Sequence, residues 1–156
     1  MPAPVTALSN AFKLELLKGN HDFDNDTFRV ALIKENPTGT YGAATLAYSE
    51  LTTNSDHPSG TGYTGVYDTI STGAEAAIES GFPQMSGTTA IMDFVNAVFA
   101  TVTVQADGCI LYNPNADSAS NVIAVFNFGG TVSATAGDFT IQFPAPGSTT
   151  SILRLA

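Results

Sequence analysis

The sequence predicts a mainly β protein: a single-domain antiparallel β-sandwich, jelly-roll or immunoglobulin-like, with one short N-terminal helix. Three observations carry this reading. Val98, Ala100, Val102 and Val104 alternate with Phe99, Thr101 and Thr103, which is the period of two that strands show. Apolar runs recur at a spacing of roughly 8–12 residues, the rhythm of sandwiches and barrels. Turn chemistry separates the runs: Ala106-Asp107-Gly108, Asn113-Pro114-Asn115, Gly129-Gly130, Ala136-Gly137-Asp138 and Pro144 to Gly147.

The elements follow in order. Ser9 to Lys18 reads as the helix. Ser9 caps it, Phe12 and Leu16 fall at i and i+4, Leu14 and Leu17 add to the apolar face, and Gly19 supplies a left-handed stop. His21 to Asp26 is a polar loop. Thr27 to Lys34 is a strand, apolar on both faces and therefore central. Glu35 to Gly87 is loop-rich, with a short helix near Leu46 to Leu51 and a weaker strand near Tyr63 to Ile70. The clearer strands are Thr89 to Phe94, Val98 to Gln105, Cys109 to Tyr112, Val122 to Phe128, Phe139 to Phe143 and Ser151 to Leu155. Residues 1–156 thus form one domain: a helix and loop over 1–26, then a sandwich over 27–156 with an insertion at 35–87. A long excursion on a rigid β scaffold is where binding is expected.

Charge is sparse and lopsided. Hydrophobic residues make up 44% of the 156 positions and charged residues 12%, with a net charge of −9. That charged share is roughly half of an ordinary soluble domain's. Between Lys34 and Arg154 there is no lysine or arginine, yet ten of the fourteen acidic residues lie there. Nucleic-acid binding needs cations that displace counterions from phosphates, so no nucleic-acid partner is expected. One cysteine, Cys109, excludes an internal disulfide framework. Apolar runs fall short of the ~18 residues of a membrane span. Met1 to Leu8 lacks the basic start and apolar core of a signal peptide, so synthesis in a cytoplasm is expected.

Chemical motifs are weak. Gly60-Thr61-Gly62-Tyr63-Thr64-Gly65 matches the glycine pattern of dinucleotide folds, but a loop precedes it and β-like sequence follows, so it reads as a glycine-rich turn. Asp22, Asp24 and Asp26 alternate like the start of a calcium loop. Thr27 and Ile33 then stand where that loop needs glycine and glutamate, so a solvated loop is expected, with a different kind of cation site left open. Cys109 sits among apolar neighbours, and only His21 and His57 are available as bases, so it reads as core. One cysteine and two distant histidines make no metal spacing, and no cofactor is expected. Without tryptophan and with scattered tyrosines, an aromatic sugar platform is unsupported.

Several segments belong together in chain order. They begin with Ser9 to Phe23 and Thr27 to Lys34. Gly60 to Thr64, Ser86 to Ala90 and Asp93-Phe94 follow, then Ala106 to Asn113 and Val122 to Gly130. The last are Ala136 to Pro144 and Ile152 to Ala156. In this order, through most of the chain, they resemble a family of small virion structural proteins of tailed bacteriophages. The likeness departs between Gly65 and Gly87, where Gly73 to Glu79 and Ser80 to Ser86 replace more strand-like sequence. The resemblance implies a non-enzymatic particle component and transfers no catalytic residue.

The leading expectation is a decoration, or cement, protein on the outer surface of the head, made in the host cytoplasm, with the major capsid protein as partner and self-association. An acidic coat suits the outside, because the inside faces packaged DNA. Four of the five basic residues lie near the N-terminus, so Lys13, Lys18, Arg29 and Lys34 are the expected capsid-contact residues. The alternative is a tail or fibre-associated subunit that binds a receptor through Glu35 to Gly87. A small hydrolase ranks third, since no catalytic pair is named by the sequence.

Overall fold

The computed structural model describes residues 2–63, 74–115 and 121–156. In chain order the elements are β1 (Ala7–Leu8), α1 (Asn10–Lys18), β2 (Arg29–Lys34), α2 (Ser49–Thr53), β3 (Ala74–Glu75), β4 (Gln84–Ser86), β5 (Thr89–Met92), β6 (Ala97–Tyr112), β7 (Val122–Ile141) and β8 (Leu153–Leu155). Two antiparallel sheets result. One has five strands in the order β1-β7-β6-β2-β3, the other three in the order β4-β5-β8. The domain is mainly β, with two sheets and a short N-terminal helix, as the sequence predicts.

The ends of α1 fall where their chemistry places them. Ser9 Oγ accepts the Ala11 N–H at 3.2 Å, and Gly19 takes φ +73°. Its buried face differs from the expected one. Phe12 and Glu15 are buried, whereas Leu14 and Leu17 are 54% and 87% exposed. At ~100° per residue Leu14 and Leu17 stand about 200° and 140° round the helix from Phe12, so they cannot share its face.

β2 is buried on both faces. Val30 and Leu32 join one apolar cluster with Phe12, Phe28, Phe94, Cys109 and Leu111. Met92 and Leu153 bring the second sheet into the same cluster. Ala31 and Ile33 point the other way, to Tyr41, Tyr48, Leu51, Ile110 and Tyr112. The excursion after β2 therefore folds back as a cover for the second face of the larger sheet. Its short helix is α2, slightly later than expected. Of the strand expected near Tyr63 to Ile70, residues 64–70 lie outside the described residues. Between Gly65 and Gly87, β3 and β4 are strands, while residues 65–73 lie outside the described residues.

The largest correction concerns β6 and β7. Four expected strands and the turns between them, at Ala106-Asp107-Gly108, Gly129-Gly130 and Ala136-Gly137-Asp138, are two continuous strands of 16 and 20 residues. Two of the supposed turns, at 106–108 and 129–130, face each other across a β-bulge. Ala106 pairs with Val132 and Gly108 with Asn127, so Asp107 alone opposes residues 128–131. Asp107 staples this bulge, accepting from Thr131 Oγ1 at 2.6 Å and from the Asn36 N–H at 2.8 Å. A second irregularity uses Thr101 and Ala136, at φ +53° and +48°. There the Thr101 N–H donates to Asp138 Oδ1 at 3.0 Å, and the Ala136 N–H donates to Thr103 Oγ1 at 2.9 Å. Glycine and aspartate serve turns and bulges alike, and pairing across the hairpin decides between them. The strands expected at Thr89 to Phe94 and Ser151 to Leu155 are shorter, at Thr89–Met92 and Leu153–Leu155.

Candidate functional site

The four cations expected to meet a capsid do not converge. Lys13 and Lys18 are exposed on α1, five residues and therefore about 140° apart, with Leu17 and Leu14 between them round the helix. Lys13 Nζ donates to Asn10 Oδ1 at 3.3 Å. Arg29 and Lys34 stand at opposite ends of β2, roughly 16 Å apart for a strand of this length. Lys34 is engaged within the chain: Nζ lies 3.0 Å from Asp56 Oδ1 and donates to the Ser55 carbonyl at 2.8 Å. The other exposed cation is Arg154 on β8, whose Nη1 donates to the Thr149 carbonyl at 2.7 Å.

Asp56 anchors the excursion. It is fully buried and accepts from the Thr38 N–H at 2.9 Å, the Thr38 hydroxyl at 2.9 Å, the Gly39 N–H at 2.7 Å and the Tyr41 hydroxyl at 2.8 Å. Burial alone would raise its pKa. The backbone N–H groups of Thr38 and Gly39, with Tyr41 and Lys34, outweigh burial and hold the carboxyl well below the usual range. Burial, reinforced by Asp56, pushes the Tyr41 phenol up, so it stays a donor. The far end of the excursion is pinned to the start of β7, where the Val122 N–H donates to the Leu46 carbonyl and the Tyr48 N–H to Asn121 Oδ1.

A second buried network joins α1 to the end of β6. Asn113 Nδ2 lies 3.2 Å from His21 Nδ1, and Glu15 Oε2 lies 3.2 Å from His21 Nε2. An amide nitrogen can only donate, so Nδ1 accepts and the ring proton sits on Nε2, donated to Glu15. Burial lowers the His21 pKa and outweighs the upward pull of Glu15, which keeps the imidazole neutral. Asn113 Nδ2 also donates to Asp26 Oδ2 at 2.6 Å.

Of the three alternating aspartates, Asp22 and Asp26 use their carboxylates to hold this loop together, and Asp24 contributes its backbone N–H. Asp22 accepts from the Asp24 N–H at 2.9 Å and from Asn25 Nδ2 at 2.7 Å, and Asp26 accepts from the Asp22 N–H at 2.9 Å. The Asn25 amide and the Asp24 N–H lower the Asp22 pKa. Among the described residues, no group of three or more His, Cys, Asp or Glu side chains could hold a metal ion.

Cys109 is buried in the larger cluster, and burial drives its thiol pKa up, the reverse of what a nucleophile needs. Gly60 and Gly62 serve close packing. A Cβ on either would collide with the carbonyl of Thr103 or Thr101, and the Thr103 N–H donates to the Thr61 carbonyl at 2.9 Å. The third glycine of that motif, Gly65, lies outside the described residues.

Several depressions open on the surface of the described residues. A shallow groove of about 560 Å³ crosses the outer face of β6 and β7 and is lined by Ser59, Thr61, Thr103, Ser133 and Thr135. A smaller cleft of about 120 Å³ lies between α1 and the second sheet, walled by Phe12, Leu16, Phe23, Ile91 and Leu153. Sequence reasoning missed this cleft, because its walls come from segments more than 130 residues apart. Comparison with family models, curated proteins and solved structures found no match.

Proposed function

We propose that the protein is a non-enzymatic structural subunit of a tailed-phage particle, a decoration or cement protein on the outer surface of the head. The observation that supports it is a division of labour among the charges. Asp56, Asp26, Asp107 and the Glu15–His21 pair staple loops and bulges, while the exposed cations Lys13, Lys18 and Arg154 lie on α1 and β8. A body with a net charge of −9 is suited to face solvent rather than packaged DNA. The order of phage-like segments along the chain supports the same reading. The partner is the major capsid protein. We read the two sheets as halves of a sandwich, jelly-roll or immunoglobulin-like, because they share one apolar cluster.

Antibody labelling of intact virions, counted by electron microscopy, tests this. Label spread over the head at lattice-like density is the expected result. Label confined to the tail would overturn it in favour of a tail or fibre-associated subunit.

A further inference from the structure

We propose that His21 is an acid-operated latch: neutral, it ties the loop after α1 to the end of β6, and protonated, it exchanges partners and lets that end go. The inference is independent of the capsid reading.

The seam is a chain of four side chains. Glu15 comes from α1, His21 and Asp26 from the loop that follows it, and Asn113 from the position just past β6. Glu15, His21 and Asn113 are buried. The Phe12 ring packs against the imidazole, with centroids 5.1 Å apart. Carboxylates reach the imidazole from two directions, Glu15 on the helix and Asp26 on its own loop. The end of β6 meets it with the uncharged amide of Asn113.

Both polar atoms of that amide are committed. Its nitrogen donates to His21 Nδ1 at 3.2 Å and to Asp26 Oδ2 at 2.6 Å, and its oxygen accepts the Asn115 N–H at 2.9 Å. The arrangement holds only while Nδ1 carries a lone pair. A proton there sets two donors face to face. Turning the amide over gives no relief. Its oxygen would meet the Asp26 carboxylate and its nitrogen the Asn115 N–H, so one mismatch becomes two. Exchange costs less. Asp26 Oδ2 already accepts the Asp22 N–H, so the imidazolium, the stronger donor, displaces the neutral amide from it. Nε2–H stays on Glu15. The imidazolium is then held between two carboxylates. Asn113 leaves with Asn115, whose Oδ1 accepts the Thr27 N–H at 3.1 Å in the closed seam.

The sign follows from burial, which outweighs both carboxylates and holds the folded pKa below that of a free histidine. The latch therefore contributes its full stability above the unfolded pKa of ~6.5 and loses it as pH falls from there toward the folded value.

The test follows the full-length protein through acidification by NMR. The imidazole signals report His21, with His57 as the internal control. Hydrogen exchange of the Asn113 side-chain amide, corrected for its intrinsic pH dependence, reports the latch. Its protection is expected to fall about tenfold or more, with the midpoint of His21. His21→Gln should make that protection indifferent to pH between about 5 and 8. Asn113→Leu keeps the volume but cannot donate to Nδ1, so His21 in that variant should titrate at higher pH than in the wild type. Protection that persists while His21 titrates would overturn the proposal. So would loss of protection at the midpoint of His57, a transition that survives in His21→Gln, an unmoved His21 in Asn113→Leu, or a His21 that titrates only as the whole fold is lost.

Discussion

Asp56 and Asp93 are both fully buried, yet their surroundings shift them in opposite directions. Asp56 meets a ring of donors and Lys34, so its carboxylate is favoured despite burial. Asp93 has less help. Its Oδ1 accepts the Phe94 N–H at 2.9 Å, Oδ2 has no partner among the described residues, and burial raises its pKa against the pull of Phe94 and Ser151. The two therefore differ in linkage. With a depressed folded pKa, Asp56 contributes stability above its unfolded pKa of ~4, and this is lost as pH falls below that value. Asp56→Ala is expected to cost about 3–5 kcal/mol at pH 7, because it takes the acceptor from the Thr38 and Gly39 N–H groups and from the Tyr41 hydroxyl and breaks the ion pair with Lys34. Denaturant midpoints measure this, and the variant's acid limb should be flatter than the wild type's. With a raised folded pKa, Asp93 costs stability above that pKa, and the cost is relieved as pH falls through it. Asp93→Asn should then gain about 1 kcal/mol at pH 7, a gain that vanishes on acidification. Loss of stability at every pH would refute this account of Asp93.

At the scale of elements, glycines separate two constraints. Gly60 lies against β6, where a Cβ would overlap the Thr103 carbonyl. Gly129 has open space but φ +81°. Gly60→Ala must push the 60–63 segment off β6 and is expected to cost about 3 kcal/mol. Gly129→Ala pays only backbone strain, about 1 kcal/mol. Thermal midpoints of the two variants should differ in that order, and equal losses would contradict the close approach of Gly60 to β6. The same glycines mark the limit of what the sequence discloses. The ends of α1 are legible because its cap and its stop are local, although its buried face is not, since Leu14 and Leu17 look outward; β2 is legible because its apolar run is unbroken. The bulges of β6 and β7 are not legible, since Gly129-Gly130 makes as good a turn as a bulge until Asp107 is set opposite it. The exposure of Lys13 and Lys18 on α1 follows from the helical period. That Lys34 is engaged by Asp56 is not legible, because the two lie 22 positions apart across an irregular excursion.

The whole molecule carries a net charge of −9, while its α1 surface presents cations, so what a partner senses depends on distance. A chain of this length has a radius of gyration of roughly 15 Å. At 0.01 M salt the Debye length is ~30 Å, longer than the molecule's radius, and an acidic shell would feel the net charge as repulsion. At 0.15 M it is ~8 Å, and only the nearest patch is felt. If Lys13 and Lys18 lead the approach to an acidic shell, the association rate should first rise with salt as long-range repulsion is screened. It should then fall as the local attraction is screened in turn. Reversing both charges, with Lys13→Glu and Lys18→Glu together, removes the attraction, so the rate should be lower throughout and only rise with salt. Stopped-flow or surface-based kinetics on purified heads measures both curves. A wild-type rate that climbs steadily to high salt, matching the double variant, would mean that the approach is led by some other face.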